Sequence, residues 1–107
     1  DMEEIYFTIV EDEKYSGLVA FHAGVRTNIQ VVKWTWDYGE GKPFTSYTPG
    51  AAHQYGVGQY TITLVALDIL GYERMVTCSL RYDGNKISYG PMYTWYRNGK
   101  SKWLKQP

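Results

Sequence analysis

From Gln30 to Asp37 the chain alternates. Val32, Trp34 and Trp36 fall on one side and Val31, Lys33 and Thr35 on the other, the two-residue period of a strand with one buried face. The period recurs from Tyr60 to Leu67, where Tyr60, Ile62, Leu64 and Ala66 oppose Thr61, Thr63, Val65 and Leu67. It returns from Arg74 to Tyr82, with Val76, Cys78, Leu80 and Tyr82 against Met75, Thr77, Ser79 and Arg81. Asp68 and Gly71 mark the hairpin between these two strands. Ile5 to Val10, β-branched and aromatic, predicts a first strand, and Leu18 to His22 a second that ends in a turn at Ala23-Gly24. Tyr38 to Ala52 is rich in Gly and Pro and predicts loop, with a short edge strand around Phe44 to Tyr47. Met92 to Arg97, Asn98-Gly99 and Lys100 to Leu104 predict a last hairpin. Its two-residue turn would set Trp95 opposite Lys102 and Thr94 opposite Trp103. No stretch has helical period, so the chain is predicted to be all-β.

At 107 residues there is material for one core. Aromatic residues form 17% of the chain, which supplies the large buried areas a domain this small needs. Cys78 is the only cysteine, so no disulfide can form within the chain and cysteine content says nothing about compartment. Eleven basic and eleven acidic residues cancel, which removes the bulk field that would draw the chain to nucleic acid or an anionic membrane. The charges are nonetheless polarised. Asp1, Glu3, Glu4, Glu11, Asp12 and Glu13 open the chain, and Arg81, Lys86, Arg97, Lys100, Lys102 and Lys105 load its end. No apolar run approaches the roughly 18 residues of a membrane span, so membrane insertion is not expected. The chain begins at Asp1 and reads as a fragment of a larger protein.

The densest local signal is Trp36-Asp37-Tyr38-Gly39-Glu40-Gly41, with His53-Gln54-Tyr55 and Gly58-Gln59-Tyr60 downstream. Trp36 can fill the space between two sheets. Asp37 can accept the N–H groups of the turn that follows, where Gly39 and Gly41 supply positive φ. Tyr60, just after Gly58, stands where a tyrosine corner ties a sandwich loop to its strand. These segments resemble the PKD domain, the immunoglobulin-like module named for the polycystic kidney disease protein. In that family a Trp-Asp-Phe-Gly-Asp-Gly turn is followed by His-x-Tyr and an alternating strand that closes on Asp. The resemblance covers roughly positions 5 to 82. It departs at Tyr38, at Glu40, and in a Tyr55-to-Gly58 spacing one residue short.

The resemblance implies an immunoglobulin-like two-sheet β-sandwich over residues 1–84, with residues 85–107 as an appended C-terminal hairpin packed on or beside it. It implies a structural signature of Trp36, Asp37, Gly39, Gly41, His53, Tyr55, Gly58 and Tyr60. It further implies a non-catalytic spacer and interaction module of a secreted, cell-surface or virion-surface protein, whose partners are other protein domains or subunits.

The residues offer little for catalysis. His22 and His53 are the only imidazoles, and His53 is expected to hold a neighbouring loop carbonyl while His22 lies exposed. An enzymatic reading would need His53 as a base near Asp37. Cys78, between Val76 and Leu80 on its face, reads as a small buried hydrophobe. Two His and one Cys so scattered do not make a zinc site. Asp37 and Asp68 are the acids to which calcium would go, but the alternating-ligand loop is missing and turn capping is expected, with no cofactor. The candidate binding surface is the last hairpin. Tyr93, Trp95 and Trp103, helped by Lys102, could stack on sugar rings, which makes a carbohydrate-binding accessory domain of a secreted hydrolase the competing reading. No nucleic-acid partner is expected.

Overall fold

The computed structural model describes residues 5–26 and 28–106. Asp1, Glu3 and Glu4 of the acidic N-terminal group therefore lie outside the described residues. Among the described residues nine strands follow one another: β1 (Ile5–Glu11), β2 (Leu18–Val25), β3 (Val31–Asp37), β4 (Phe44–Ser46), β5 (Gly50–Gln54), β6 (Gly58–Asp68), β7 (Tyr72–Tyr82), β8 (Ile87–Asn98) and β9 (Leu104–Lys105). They form two antiparallel sheets, one in the order β1-β2-β5 and the other in the order β4-β3-β6-β7-β8-β9. The chain is all-β and the two sheets pack as one compact domain, with a radius of gyration of 13.9 Å.

Alternation decides what lies between the layers. Ile5 and Phe7 of β1 and Val19, Phe21 and Ala23 of β2 face Trp34, Trp36, Ile62, Leu64, Ala66, Val76, Cys78, Leu80 and Tyr82 of the larger sheet. Trp36 is wholly buried at the centre. Its ring lies 5.5 Å from Phe7 and 5.5 Å from Phe21, so it is held by two of the three strands of the smaller sheet, β1 and β2. Such tilted and edge-on contacts add to the burial of about 150–250 Å² per ring.

Four expectations are corrected by the pairing. Val32 does not join Trp34 and Trp36 in the core; it is 41% exposed. The β3–β6 register jumps between Val31 and Lys33, and this bulge turns Val31 inward and Val32 out. The second strand does not turn at Ala23-Gly24 but runs on to Val25. Gly24 pairs with Tyr6, whose ring lies where a Cβ would be, and Arg26 covers that ring at 4.3 Å. Residues 50–52, the end of the expected loop, belong instead to β5, which pairs along β2. A Gly-Ala-Ala start has almost no intrinsic strand preference, so the partner strand makes it one.

The last hairpin has a different register. Trp95 stands opposite Lys105 and Tyr96 opposite Leu104, while the N–H of Gln106 reaches the Thr94 carbonyl at 2.9 Å. The two-residue turn is displaced because its backbone groups are used elsewhere. Asn98 N–H donates to Ser101 Oγ at 3.1 Å, and Gly99 N–H to the Gly71 carbonyl at 3.3 Å. Upstream, β8 pairs with β7 from Ile87 to Asn98, broken only where Gly90-Pro91 bulge out between the Met92–Cys78 and Tyr89–Leu80 pairs. Proline has no N–H to offer a ladder, which places the irregularity there.

Candidate functional site

The turn after β3 is built as its residue types demand. Asp37 Oδ1 accepts the N–H groups of Gly39 at 2.8 Å, Glu40 at 3.2 Å and Gly41 at 3.3 Å. Gly39 has φ +101°, and a Cβ there would fall 2.7 Å from Cβ of Tyr60. The turn is thus seated directly on β6. Tyr55 is buried and donates its hydroxyl to the Tyr38 carbonyl at 2.9 Å. Burial first, then the nearby Glu40, Tyr38, Tyr60 and Asp37, hold that phenol protonated far above its ordinary range. Tyr60, two residues beyond Gly58, donates to the Gly56 carbonyl at 2.8 Å, a corner tie between the approach to β6 and its first turn of chain. Trp36, Asp37, Gly39, Gly41, Tyr55, Gly58 and Tyr60 therefore gather at one end of the sandwich.

His53 projects from β5 into the same region. Its ring stacks on Tyr38 at 4.4 Å and meets Tyr55 edge-on at 4.6 Å. Its Nε2 lies 3.0 Å from Glu40 Oε1, out of line for a hydrogen bond, so the contact is a charge pair available when the imidazole is protonated. The expected partner was a loop carbonyl; the structure supplies a carboxylate, because the glycine turn swings Glu40 over β5. Asp37 is committed to the turn and does not serve His53.

Beside this pair opens a cleft of about 440 Å³ between the edges of the two sheets. Tyr38, Glu40 and Lys42 line it from the turn after β3, Phe44 from the start of β4, and residues 50–53 from β5. It lies where β4, the edge of one sheet, and β5, the edge of the other, both border the turn after β3. Phe44 is 48% exposed. The cleft has aromatic walls, a floor of Gly50, Ala51 and Ala52, and three ionisable groups at its rim. Its lining has no serine, threonine or cysteine, and the hydroxyl among its lining residues is the phenol of Tyr38, whose pKa burial raises, so the arrangement is suited to binding.

The C-terminal aromatic residues lie on the opposite side of the larger sheet. Since Thr94 is buried, Tyr93, Trp95 and Arg97 alternate onto the outer face. Lys105 Nζ stands 4.9 Å above the Tyr93 ring and 5.6 Å from that of Trp95. Arg97 covers Trp103 at 4.2 Å and pairs with Glu73 at 2.7 Å. Lys102 is exposed and joins neither stack. One ring face of each candidate stacking residue is thus taken by a cation of the chain itself. Sequence reading placed these aromatics together but missed Arg97 and Lys105 as their covers, because the predicted register set Lys102 opposite Trp95.

Asp37 and Asp68 cannot share a cation. The β3–β6 register pairs Val31 with Asp68 and Asp37 with Thr63, which puts them at opposite ends of β3. Asp68 is buried and spent. Its Oδ1 accepts the N–H groups of Leu70 and Tyr72, each at 2.9 Å, and its Oδ2 accepts Arg74 Nη1 at 2.7 Å. Burial alone would raise its pKa, but the bonds from Arg74, Tyr72 and Leu70 outweigh it and hold the carboxyl below the ordinary value. Among the described residues no three His, Cys, Asp or Glu side chains gather as a metal site. Cys78 is buried, its thiol pushed up by burial and directed at the Gly90 carbonyl at 3.4 Å. His22 is exposed on β2. No protein family, curated protein or solved structure compared with this chain matches it.

Proposed function

We propose that the chain is an immunoglobulin-like sandwich of the PKD type, serving as a non-catalytic spacer and interaction module within a larger secreted, cell-surface or virion-surface protein. The observation that carries the reading is strand order. Taking β1, β2 and β5 as strands A, B and E, and β3, β6 and β7 as C, F and G, this order supports an A-B-E against C-F-G arrangement such as immunoglobulin-like domains have. Strand β4 lies beside C, and β8 and β9 extend the sheet beyond G. The buried Trp36, the Asp37 turn and the Tyr60 bond to the Gly56 carbonyl support the reading. The extracellular setting and protein partners come from that resemblance. The non-catalytic role likewise comes from that resemblance.

The competing carbohydrate-binding reading rests on Tyr93, Trp95 and Trp103. It is disfavoured by the cations lying on those rings, which a sugar would have to displace. The deciding experiment is retention of the module on immobilised polysaccharides and a glycan array. The proposal expects no glycan retention that depends on Trp95 or Trp103. Retention that vanishes in Trp95→Ala and Trp103→Ala would replace it with the carbohydrate reading.

A further inference from the structure

The β5 edge and the cleft beside it make a vacant strand position. The N–H of Tyr55 reaches the Gly17 carbonyl at 2.9 Å, and the N–H of Ala23 the Pro49 carbonyl at 3.0 Å. In an antiparallel pair hydrogen-bonded partners alternate, so within the β2–β5 register it is residues 51 and 53 that bond to β2. Gly50, Ala52 and Gln54 therefore turn their N–H and C=O groups outward, along the open edge. Exposed rows of this kind are templates for another strand, and folds usually blunt them. Here β4 and β9 are only three and two residues long, and β8 carries the Gly90-Pro91 bulge. The β5 edge has no proline, lysine or bulge within it, and it borders a cleft floored by small residues.

We propose that this edge accepts one extended segment of a partner protein by strand addition, deepening the interaction-module reading on which it rests. Three features define the occupant. The outward groups, spaced every second residue, require an extended backbone. The cleft, walled by Phe44 and Tyr38, takes an apolar side chain from the face of that segment turned between the sheets. Lys42 at the rim has no ion-pair partner among the described residues, whereas Glu40 has His53, so an acidic residue in the segment complements the site.

The test uses a capped peptide of alternating valine and threonine bearing one glutamate, and the same peptide N-methylated at alternate residues so that it cannot pair. Amide hydrogen exchange of the intact chain is followed by NMR. The expected result is slowing by about tenfold or more at Gly50, Ala52 and Gln54, absent with the N-methylated peptide and weakened in Lys42→Ala. Ala52→Pro, which removes an outward N–H that β2 does not use, should abolish it; if that variant fails to fold, the N-methylated control decides alone. No slowing at the three amides at millimolar peptide overturns the proposal. So does equal binding of the N-methylated peptide, which makes the cleft a side-chain pocket only. Self-association that disappears in Ala52→Pro also overturns it, in favour of a second copy. Perturbation confined to Trp95 and Trp103 overturns the β5 site while leaving the interaction-module reading standing.

Discussion

Replacing Trp36 separates two contributions that are usually confounded, the volume of an anchor and the cost of its polar atom. The ring is wholly buried, and Phe7 and Phe21 of the opposing sheet and Tyr38 of its own all pack on it. A hole at that place cannot close from one side without drawing the sheets together, so Trp36→Ala belongs at the upper end of aromatic truncations, about 4–5 kcal/mol. That is a large part of the roughly 5–15 kcal/mol that holds a domain folded. The indole Nε1, however, has no hydrogen-bond partner. A buried unmet donor costs about 1–3 kcal/mol, and Trp36→Phe removes it while retaining most of the ring. The phenylalanine variant should therefore lie within about 1 kcal/mol of the parent, its cavity offset by the lost donor. Urea unfolding followed by far-UV circular dichroism gives both numbers without relying on the fluorescence of four tryptophans. A Trp36→Ala loss under 2 kcal/mol, or a Trp36→Phe loss as large as that of alanine, refutes the reasoning.

Asp68→Ala strips two turn N–H groups and a buried guanidinium of their acceptor and should cost about 3–5 kcal/mol, read as a melting temperature lowered by more than about 12 °C. Because the Asp68 pKa is lowered in the fold, its contribution is complete above the unfolded value of 3.8 and is lost as pH falls through the folded one. The acid limb of the stability profile should therefore flatten in Asp68→Asn, measured by melting between pH 2 and pH 6, values bracketing about two units either side of an ordinary carboxylate. Tyr55→Phe leaves the Tyr38 carbonyl without its partner and should cost about 1–3 kcal/mol in urea unfolding. Gly39→Ala forces a side chain onto a φ of +101° and against Tyr60, and a loss below about 1 kcal/mol in the same assay would contradict that geometry.

What the sequence made legible was local. Trp36, Asp37 and the glycines that follow are read correctly because the turn needs nothing beyond its own five residues and a strand beneath it. The long β6–β7 hairpin is equally plain, since each strand carries an unbroken alternation. The rest depends on partners that are distant in the chain. Val32 leaves the core through a bulge fixed by β6. Residues 50–54 are a strand because β2 has bonds to give. The last hairpin slips because Gly71 captures the N–H of Gly99. The cleft had no motif at all, since it lies between the edges of two sheets of unequal width. Glu40 and Lys42 look like ordinary turn charges until the fold brings β5 alongside them.

That unequal width also sets how the molecule should come apart. Only three strands face six, and β9, two residues long at the far edge of the larger sheet, is held by its ladder to β8 and by Lys105 resting near the Tyr93 and Trp95 rings. Thermal breathing should begin there, as a peeling of the C-terminal ribbon that leaves Trp36 and its neighbours closed. A binding event or a neighbouring domain laid against that ribbon would then extend the cooperative unit outward to the chain's end without any rearrangement of the centre.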